Sequence, residues 1–504
     1  MNGKWKAHQH EERNMKLETL IENLQYDELI NFENVEITGI SYNSETTKSG
    51  DIFVCLVGEH TDGHEYFKKA VEVGAKAFMV EKPLETHLPQ VVVKSTRRQI
   101  ADIADKFYNS PSKKLNLIGI TGTNGKTTVT HLVQKIIGAK FDGKCGLIGT
   151  LGYKLNVKDD YKEAKHTTPQ APELQSTLAL MLEKDIKDVI MEVSSHALEQ
   201  NRVGGCLFKG AVLTNLTQDH LDYHITMNNY FEAKAILFKT LKEGSFAVIN
   251  ADDEFSKRFL DVVPEGIKIL TYGIKNSADI MAKDIEFVLK GAEFTLESKF
   301  GTQKVNLQMN GMFSVYNILA AISTGIALEI NLNDCIKPLE STKGVAGRFE
   351  VVVKEPLVIV DYAHTPDGLK NVLTAAREIT PKDSNLICLF GCGGDRDSTK
   401  RPKMGAIAEE LSDKIVITSD NPRSEDPQQI ITDILAGLKT INTQKVFVEP
   451  DRIKAIEILK TISTKEDVIV IAGKGHEDYQ ILKDKTIHLD DREEAKKVFL
   501  GIEG

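Results

Sequence analysis

The chain has 504 residues, which is enough for roughly three domains. Hydrophobic residues make up 41% of it and charged residues 27%, as in ordinary globular proteins. The formal net charge of -10 at pH 7 argues against a nucleic-acid partner, which would favour a basic face, but permits a nucleotide in a local positive pocket.

The sequence has no apolar run of the roughly 18 residues that a membrane span needs. Residues 1–14 are polar and have no apolar core of a signal peptide, so we expect a disordered leader, with Met15 as an alternative start. The six cysteines form no CxxC pair and fit neither a zinc site nor a disulfide framework. We therefore predict reduced thiols, buried in a cytoplasmic protein.

Three segments follow one another, and together they predict an α/β protein of three domains. Residues 15–113 combine short apolar runs with helical patterns, which predicts a small N-terminal α/β domain. Residues 114–349 contain continuous apolar, β-branched runs, typical of a parallel sheet covered on both faces, and we predict a P-loop ATPase-like sheet. A more polar stretch, 271–310, predicts short antiparallel strands. Residues 350–504 predict a Rossmann-like, doubly wound domain.

Unusual polar residues follow the predicted strands of the last segment. They form the loops DYAHTPD, GCGGDRD, SDNPRSEDP and GKGHEDY. Ligands of doubly wound sheets bind beyond the carboxyl ends of the strands. We therefore predict that these loops are functional.

The stretch LIGITGTNGKTT predicts a phosphate cradle between a strand and a helix. Gly122 and Gly125 allow backbone N–H groups to face an anion, and the helix N-terminus adds its dipole. Lys126 can reach the β- and γ-phosphates, and Thr127 can ligate magnesium. Ile120 stands where the strict P-loop pattern has glycine, so the loop is a variant, and a chance turn is the alternative. The predicted ATP loop comprises Gly122, Thr123, Asn124, Gly125, Lys126, Thr127 and Thr128.

Eight further motifs narrow the interpretation. They are HTTP, MEVSSHAL, LTNLTQDHLDYH, YFEAKAILF, DYAHTPD, GGDRD, DNPRSEDP and GKGHEDYQ, in this order. Together with TGTNGKTT they closely resemble the Mur ligases, and among them the branch that adds diaminopimelate, from about Leu17 to the C-terminus. The resemblance implies one domain each for the UDP end of the substrate, for ATP and for the amino acid.

The resemblance also implies a two-step reaction. ATP phosphorylates the D-glutamyl γ-carboxylate of UDP-N-acetylmuramoyl-L-alanyl-D-glutamate, and the amine of meso-diaminopimelate then displaces phosphate from the acyl phosphate. We expect a monomer that binds these small molecules and has no nucleic-acid partner.

Two anions must meet in such a reaction, so cations must stand between them: Lys126 and Mg²⁺. Glu192 ends an apolar strand, and His220 lies in TQDHLDYH. Capping by Glu192 and packing by His220 are the ordinary alternatives. The amphipathic pattern of YFEAKAILF by itself predicts that Lys234 is solvated. The resemblance instead implies a catalytic set of Lys126, Glu192, His220 and Lys234, with Lys234 carbamylated and holding magnesium together with Thr127, Glu192 and His220.

The resemblance assigns the remaining substrate contacts as well. Glu45 follows Ser44 where the family often has arginine, and Ser44 could be an ordinary turn residue. Asn317 could be a helix-packing amide. The implied UDP-substrate contacts are Ser44, Thr167, Thr168, Ser194, Gln200 and Arg202. The implied nucleotide contacts outside the loop are Asn317, Arg348 and Asp361.

The motif DNPR points to the amino acid that is added. Diaminopimelate has a second carboxylate at the end where lysine has none, and a guanidinium reads a carboxylate with paired, charge-assisted hydrogen bonds. Arg423 is the predicted reader, and a polar proline turn is the ordinary alternative. The implied amino-acid contacts are Arg396, Asp420, Asn421, Pro422, Arg423, Gly473 and Glu477. A lysine-adding relative, a D-Ala-D-Ala-adding relative, a folylpolyglutamate synthetase and a nucleotide-binding regulator without turnover remain as alternatives.

Overall fold

The computed structural model describes five ranges of the chain: residues 13–58, 61–162, 166–288, 291–439 and 444–502. Most of the leader predicted for residues 1–14 lies outside these ranges. Within them, Arg13 is paired with Glu183 at 2.7 Å, and the first strand begins at Met15, which pairs with Ile37.

The N-terminal part forms a small five-stranded sheet. Its order is β2-β7-β6-β5-β4, with β4 to β7 parallel and β2 antiparallel at one edge, while β1 pairs with β3. The strands are β1 (Met15–Lys16), β2 (Glu28–Ile30), β3 (Glu36–Ile37), β4 (Gly39–Ser41), β5 (Asp51–Val54), β6 (Ala77–Val80) and β7 (Gln90–Val92). The helices are α1 (Leu17–Ile21), α2 (Phe67–Val73) and α3 (Thr96–Phe107), with short 3-10 turns at Gly63–Tyr66 and Pro111–Lys114.

The central part is built on a ten-stranded sheet of order β10-β9-β11-β8-β12-β13-β14-β15-β16-β17. Strands β9 to β15 in this order are parallel, and β15, β16 and β17 form the predicted antiparallel strands. The strands are β8 (Asn116–Thr121), β9 (Gly146–Gly149), β10 (Gly152–Lys154), β11 (Asp188–Glu192), β12 (Gly210–Leu213), β13 (Phe246–Asn250), β14 (Lys268–Gly273), β15 (Ile280–Val288), β16 (Gly291–Ser298) and β17 (Gly301–Leu307). The helices are α4 (Lys126–Lys140), α5 (Ala171–Glu183), α6 (Ser195–Glu199), α7 (Leu221–His224), α8 (Met227–Lys239), α9 (Ser256–Val262), α10 (Met312–Ala327) and α11 (Leu332–Glu340).

Helices cover both faces of the central sheet, as the continuous apolar runs predict. One buried cluster joins the sheet to α4, α10 and α11, and a second joins it to α5, α6, α8 and α9. The strand before the cradle, β8, lies between β11 and β12, so their carboxyl ends meet at one edge. Residues at the ends of these three strands are therefore brought together.

The C-terminal part is a doubly wound domain, which confirms the predicted class. Its sheet has the order β18-β19-β23-β20-β21-β22, parallel except for β18. The strands are β18 (Glu350–Lys354), β19 (Leu357–Asp361), β20 (Leu386–Phe390), β21 (Lys414–Ile417), β22 (Val446–Val448) and β23 (Val468–Ala472), followed by the hairpin of β24 (Tyr479–Ile481) and β25 (Thr486–His488). Helices α12 (Pro366–Glu378), α13 (Lys400–Leu411) and α14 (Pro427–Leu435) cover one face, and α15 (Arg452–Ile462) and α16 (Asp491–Leu500) cover the other.

Two further expectations concern the whole chain. All six cysteines are free, and five of them are buried while Cys206 is half-buried. Across the described ranges, the helices are all too short or too polar to cross a membrane.

Candidate active site

The predicted cradle is formed by the turn between β8 and α4. Gly122 and Gly125 have φ angles of 151° and 85°, which residues with a Cβ rarely adopt. A Cβ on Gly125 would also lie 2.5 Å from Asn317 Oδ1, so the buried amide of α10 packs directly under the loop. The loop therefore needs glycine both for its conformation and for its contact with Asn317.

The Lys126 side chain folds back into the cradle. Its ammonium donates to the carbonyl oxygens of Gly122 and Thr123 at 2.8 and 2.9 Å. Burial lowers the pKa of Lys126 below its ordinary value, while Glu192 and Asp219 oppose that shift. A phosphate in the loop would offer the ammonium a stronger acceptor than these carbonyls.

Glu192 ends β11 next to the cradle and is only 1% exposed. Its Oε2 accepts hydrogen bonds from the hydroxyls of Thr127 and Thr150, both at 3.0 Å, and its Oε1 accepts from the Thr150 N–H at 2.9 Å. Arg348 donates to the Thr127 hydroxyl at 3.2 Å. The buried carboxylate of Glu192 and the hydroxyl of Thr127 are thus hydrogen-bonded to each other beside the cradle.

His220 precedes α7 in a left-handed conformation, with φ 54°. Burial lowers its pKa to about 3, although Asp219 favours the charged form, so the imidazole is neutral at physiological pH. Asp219 lies 3.3 Å from His220 Nε2, 3.7 Å from Lys400 Nζ and 3.9 Å from His364 Nε2. Burial by itself would raise the Asp219 pKa, but the neighbouring His220, Lys400 and His364 and the hydrogen bond from the His220 N–H outweigh it and lower the pKa.

Lys234 lies on α8 and is 1% exposed, so the solvated lysine predicted from the pattern of YFEAKAILF is wrong. Its ammonium donates to the Gly122 carbonyl at 2.9 Å and lies 4.6 Å from the centre of the Tyr230 ring. Burial, with the nearby charge of Lys126, lowers its pKa well below the ordinary value. The pattern misled because α8 is covered around most of its circumference, with Tyr230, Phe231, Ala233, Ala235, Leu237 and Phe238 also buried.

The HTTP motif lies against the end of β11. Thr168 donates its hydroxyl to the Glu192 carbonyl at 2.8 Å and accepts from the Ser194 N–H at 3.0 Å. The hydroxyls of Thr167 and Thr150 are 3.1 Å apart. These contacts place the motif beside the carboxylate of Glu192.

Two further predicted substrate residues are joined to this group. Arg202 donates to the Thr168 carbonyl at 3.1 Å and to Gln200 Oε1 at 2.7 Å. Gln200 donates to the Tyr223 hydroxyl at 3.3 Å. Ser44 is a buried residue of the turn between β4 and β5, and no described contact joins it to the others.

Two residues predicted to contact the nucleotide, Arg348 and Asp361, lie near the carboxyl end of β19. The guanidinium carbon of Arg348 lies 4.3 Å from the centre of the Tyr362 ring. Asp361 accepts from the N–H groups of Phe349 and Ala363 at 2.6 and 2.7 Å. Burial raises its pKa even though Arg348 and these N–H groups act against the shift.

A hydrogen bond at the cradle joins the central and C-terminal parts of the chain. Asn124 donates from its side chain to Asp367 Oδ2 at 2.9 Å, and its N–H donates to Asn215 Oδ1 at 2.9 Å. Asp367 belongs to the first turn of α12. The phosphate loop is thus hydrogen-bonded to the C-terminal domain.

The loop DNPR forms a wall with GKGHE. Arg423 has φ 54° and donates to the Gly394 carbonyl at 2.7 Å. Asn421 donates to Glu477 Oε2 at 3.1 Å. Burial raises the pKa of Glu477, Asp420 adds to the rise, and Lys474 opposes it.

The other predicted amino-acid contacts complete the wall. Arg396 is on the exposed side and donates to the Asp395 carbonyl at 2.8 Å. Gly473 has φ 117°, a conformation that favours glycine. The carbonyl of Pro422 accepts from the Glu425 N–H at 3.1 Å, which closes the proline turn.

The cradle and the wall face one cavity of about 1600 Å³. Most of the predicted site residues line it: Thr123, Asn124, Gly125, Lys126, Thr127, Thr128, Thr167, Glu192, Ser194, His220, Asn317, Arg348, Asp361, Arg396, Asp420, Asn421, Arg423, Gly473 and Glu477. The remaining ones are outside its described lining: Ser44, Gly122, Thr168, Gln200, Arg202, Lys234 and Pro422.

Three family models match the chain. They are the Mur ligase family catalytic domain over residues 36–108, the Mur ligase middle domain over 120–325 and the Mur ligase glutamate ligase domain over 347–475. A protein of Bacillus cereus named UDP-N-acetylmuramoyl-L-alanyl-D-glutamate--2,6-diaminopimelate ligase is 44% identical over 97% of this chain and 99% of that protein. The chain belongs to the Mur ligase family.

A second relative and a solved structure also match most of the chain. A Listeria monocytogenes protein of the same name is 45% identical over 92% of this chain and 94% of its own length. A solved structure of a ligase of that name superposes with a TM-score of 0.66 and 32% identity, over 97% of this chain and 99% of that one. The predicted family and three-domain α/β fold are therefore confirmed.

The geometry of this Mur ligase also includes residues that the motifs did not single out. Thr150 binds Glu192, Asp219 joins His220 to Lys400 and His364 of the C-terminal part, Asp367 binds the cradle, and Lys474 lies behind the wall. Asp219 and Lys474 stand next to predicted residues in TQDH and GKGHE, so adjacency was a usable signal for them. Asp367 ends the DYAHTPD loop, which was predicted to be functional, whereas Thr150 becomes a neighbour of the site only in the fold.

Proposed function

We propose that this protein is an ATP-dependent ligase that adds meso-diaminopimelate to UDP-N-acetylmuramoyl-L-alanyl-D-glutamate in peptidoglycan precursor synthesis. The observation that carries the proposal is a single cavity with a phosphate cradle at one side and the Arg423–Glu477 wall at the other. The names of the relatives that match nearly the whole chain support the same reaction.

The cradle suits the first step. Lys126 would stand between the γ-phosphate of ATP and the D-glutamyl γ-carboxylate, which otherwise repel each other. A carboxylate oxygen attacks the γ-phosphorus, the bond to the β-phosphate oxygen breaks, and ADP leaves with that electron pair. In the second step the wall would hold the incoming amino acid while its amine attacks the acyl carbon, gives up a proton and displaces inorganic phosphate.

Magnesium fits the residues beside the cradle. The Thr127 hydroxyl and the Glu192 carboxylate are 3.0 Å apart, and Mg²⁺ is usually held by one or two carboxylates together with substrate phosphates and waters. The described residues contain no cluster of three acidic, His or Cys ligands, so the phosphates would have to complete the shell. When bound, the ion would offset charge on the phosphates; neutral His220 could join its shell.

Lys234 suits the proposed carbamate. Carbamylation consumes a neutral amine, and burial depresses the pKa of this one. The product is an anion that would stand beside the cradle and help Glu192 and His220 to hold magnesium. Rescue of a Lys234→Ala variant by a short carboxylic acid tests whether Lys234 is an N6-carboxylysine.

The UDP-linked dipeptide and the nucleotide are assigned to two different sets of residues. We propose that Thr167, Thr168, Ser194, Gln200 and Arg202 hold the muramoyl dipeptide, with Ser44 near the UDP end. On the nucleotide side we propose Asn317, Arg348 and Asp361, of which Arg348 already contacts Thr127 in the cradle. The Asp361 oxygens that accept backbone N–H groups retain further lone pairs for ribose hydroxyls.

The wall suits an amino acid with a charged zwitterionic end. Arg423 would pair with the distal carboxylate and Glu477 with the distal ammonium, with Arg396, Asp420, Asn421, Pro422 and Gly473 around them. Lysine has the ammonium and lacks the carboxylate, so it would leave the guanidinium of Arg423 unpaired.

The test follows labelled oxygen from substrate to product. The γ-carboxylate of the UDP-linked dipeptide is labelled with heavy oxygen, and the enzyme is incubated with ATP, magnesium and meso-diaminopimelate. We expect one labelled oxygen in the released phosphate and a tripeptide product by mass, because the acyl phosphate transfers that oxygen. Unlabelled phosphate would contradict the acyl phosphate, and no release under any condition would favour a regulator without turnover.

A further inference from the structure

A buried lysine outside the predicted set lies directly behind the amino-acid wall. The side chain of Lys474 is 0% exposed. Its ammonium lies 3.4 Å from Asn421 Oδ1, 3.4 Å from Glu477 Oε2 and 3.6 Å from Asp420 Oδ1. A buried charge requires such partners, because its removal from water is costly.

The backbone before Lys474 directs the side chain into this position. Gly473 ends the turn after β23 with φ 117°, and a Cβ there would lie 3.0 Å from Asp420 Oδ2. The chain therefore passes close against Asp420 before Lys474 enters the space between the two loops. The turn at Gly473 thus allows DNPR to approach GKGHE and places the Lys474 ammonium between the oxygens of the two loops.

The neighbouring arginine does not supply this charge. Arg452 makes two hydrogen bonds of 2.7 Å to the two carboxylate oxygens of Asp491, and both side chains are 0% exposed. Its other contacts are the carbonyl oxygens of Ser419 and Ala472. Arg452 and Asp491 thus form a neutral pair.

With that pair set aside, two carboxylates and one ammonium remain behind the wall. Asp420 and Glu477 carry one negative charge each when ionised, and Lys474 carries one positive charge, which leaves a single negative charge. A substrate with one distal ammonium would complete the neutralisation.

We propose that Lys474 is a positioning residue for the incoming amino acid, holding Asp420, Asn421 and Glu477 together so that their oxygens can receive one ammonium. The inference rests on the proposed function, since it concerns the amino-acid side of that reaction. Lys474 itself acts through its neighbours and needs no contact with substrate.

The charge arrangement predicts a pH signature. The charged and titratable groups that face Glu477 are Asp420, Lys474, Arg452, Tyr362 and Tyr479. Of these, Lys474 is the cation that opposes the raised pKa of Glu477. Without it that pKa rises further, so at a given pH a larger fraction of the carboxyl is protonated and its attraction for an ammonium falls. A rise in pH restores the charge.

The experiment measures KM for meso-diaminopimelate and for ATP, from phosphate release, between about pH 6.5 and 8.5. We expect Lys474→Gln to raise the amino-acid KM about tenfold or more at the acid end. The excess over wild type should shrink as the pH rises, while KM for ATP stays close to wild type. The matched control is Lys483→Gln, which removes an exposed lysine from the neighbouring hairpin turn and should match wild type.

A double variant keeps the test sharp if the single variant folds poorly. Lys474→Gln with Glu477→Gln retains one carboxylate, so its amino-acid KM should be high but independent of pH. Lys474→Arg should keep a pH profile parallel to that of wild type. Equal rises in both KM values, or a Lys474→Gln profile parallel to wild type, would overturn the proposal in favour of a purely structural lysine.

The amino-acid preference of the wild type distinguishes a failure of this inference from a failure of the proposed function. A wild type that accepts lysine and rejects diaminopimelate would contradict the proposed substrate. The same pH comparison then uses lysine, because either amino acid carries the ammonium that the wall would receive.

Discussion

The phosphate cradle and the amino-acid wall face the same cavity and are built in different ways. The cradle is one continuous segment whose geometry depends on two glycines and on backbone carbonyls that bind Lys126. The wall is assembled from DNPR, GGDRD and GKGHE, and its contacts are made by charged or amide side chains, with one another and with the Gly394 carbonyl. We therefore expect the contiguous loop to provide the phosphate chemistry that every amino acid needs, and the separate loops to provide a selectivity that single side chains can change.

The largest effect is expected at the cradle. Lys126→Ala should lower kcat for phosphate release about a hundredfold to a thousandfold, because it removes the cation between two anions. The loss should be equal with every amino acid offered. The control is Lys140→Ala, at the exposed end of the same helix. A loss that depended on the amino acid would contradict the division between cradle and wall.

The next effect concerns the lysine beneath the cradle. Lys234→Ala should lower activity about tenfold to a hundredfold, since it removes a proposed magnesium-holding anion. A short carboxylic acid added to the assay should restore part of the activity by occupying the vacated space. Lys239→Ala, on the exposed side of α8, should behave as wild type. Full activity of Lys234→Ala, or no rescue, would argue against the carbamate.

A smaller and more selective effect is expected at the wall. Arg423→Ala should raise KM for meso-diaminopimelate about tenfold to a hundredfold, through loss of charge-assisted hydrogen bonds, and should leave KM for ATP nearly unchanged. Arg377→Ala is the control, because this arginine pairs with Asp413 at the far end of α12. Matching rises for ATP and for the amino acid would indicate general damage to the domain.

The smallest effect is expected where the cradle touches the C-terminal domain. Asp367→Ala removes the 2.9 Å hydrogen bond to Asn124 and should raise KM for ATP about fivefold, the value of roughly 1 kcal/mol. Amino-acid preference should not change. Asp383→Ala, an exposed carboxylate after α12, serves as the control. A change in amino-acid preference would show that the contact serves the wall as well.

The sequence was most informative where one local pattern determines the structure. The apolar runs predicted the parallel sheets of the central and C-terminal parts, and TGTNGKTT predicted the turn between β8 and α4 because its glycines and its flanking elements are contiguous. The antiparallel edge around β16 was also predicted correctly. The domain boundaries, the monomeric state and the cytoplasmic location stay predictions.

The sequence was least informative where the environment of a side chain depends on distant elements. Lys234 has the sequence pattern of a surface lysine and is buried because the cradle lies over α8. Thr150 reaches Glu192 from a different strand end, and Asp367 reaches Asn124 from another domain. Local periodicity contains no information on such contacts, and only the family resemblance pointed to Lys234.

The most direct test of the central claim is a comparison of two amino acids. Phosphate release by the wild type is measured with ATP, magnesium and UDP-N-acetylmuramoyl-L-alanyl-D-glutamate, with either meso-diaminopimelate or L-lysine at equal concentration. The account predicts release and a tripeptide product with diaminopimelate and little with lysine, and it predicts that Arg423→Ala narrows the difference. Preference for lysine in the wild type would contradict the assignment of Arg423 and with it the proposed role of the wall.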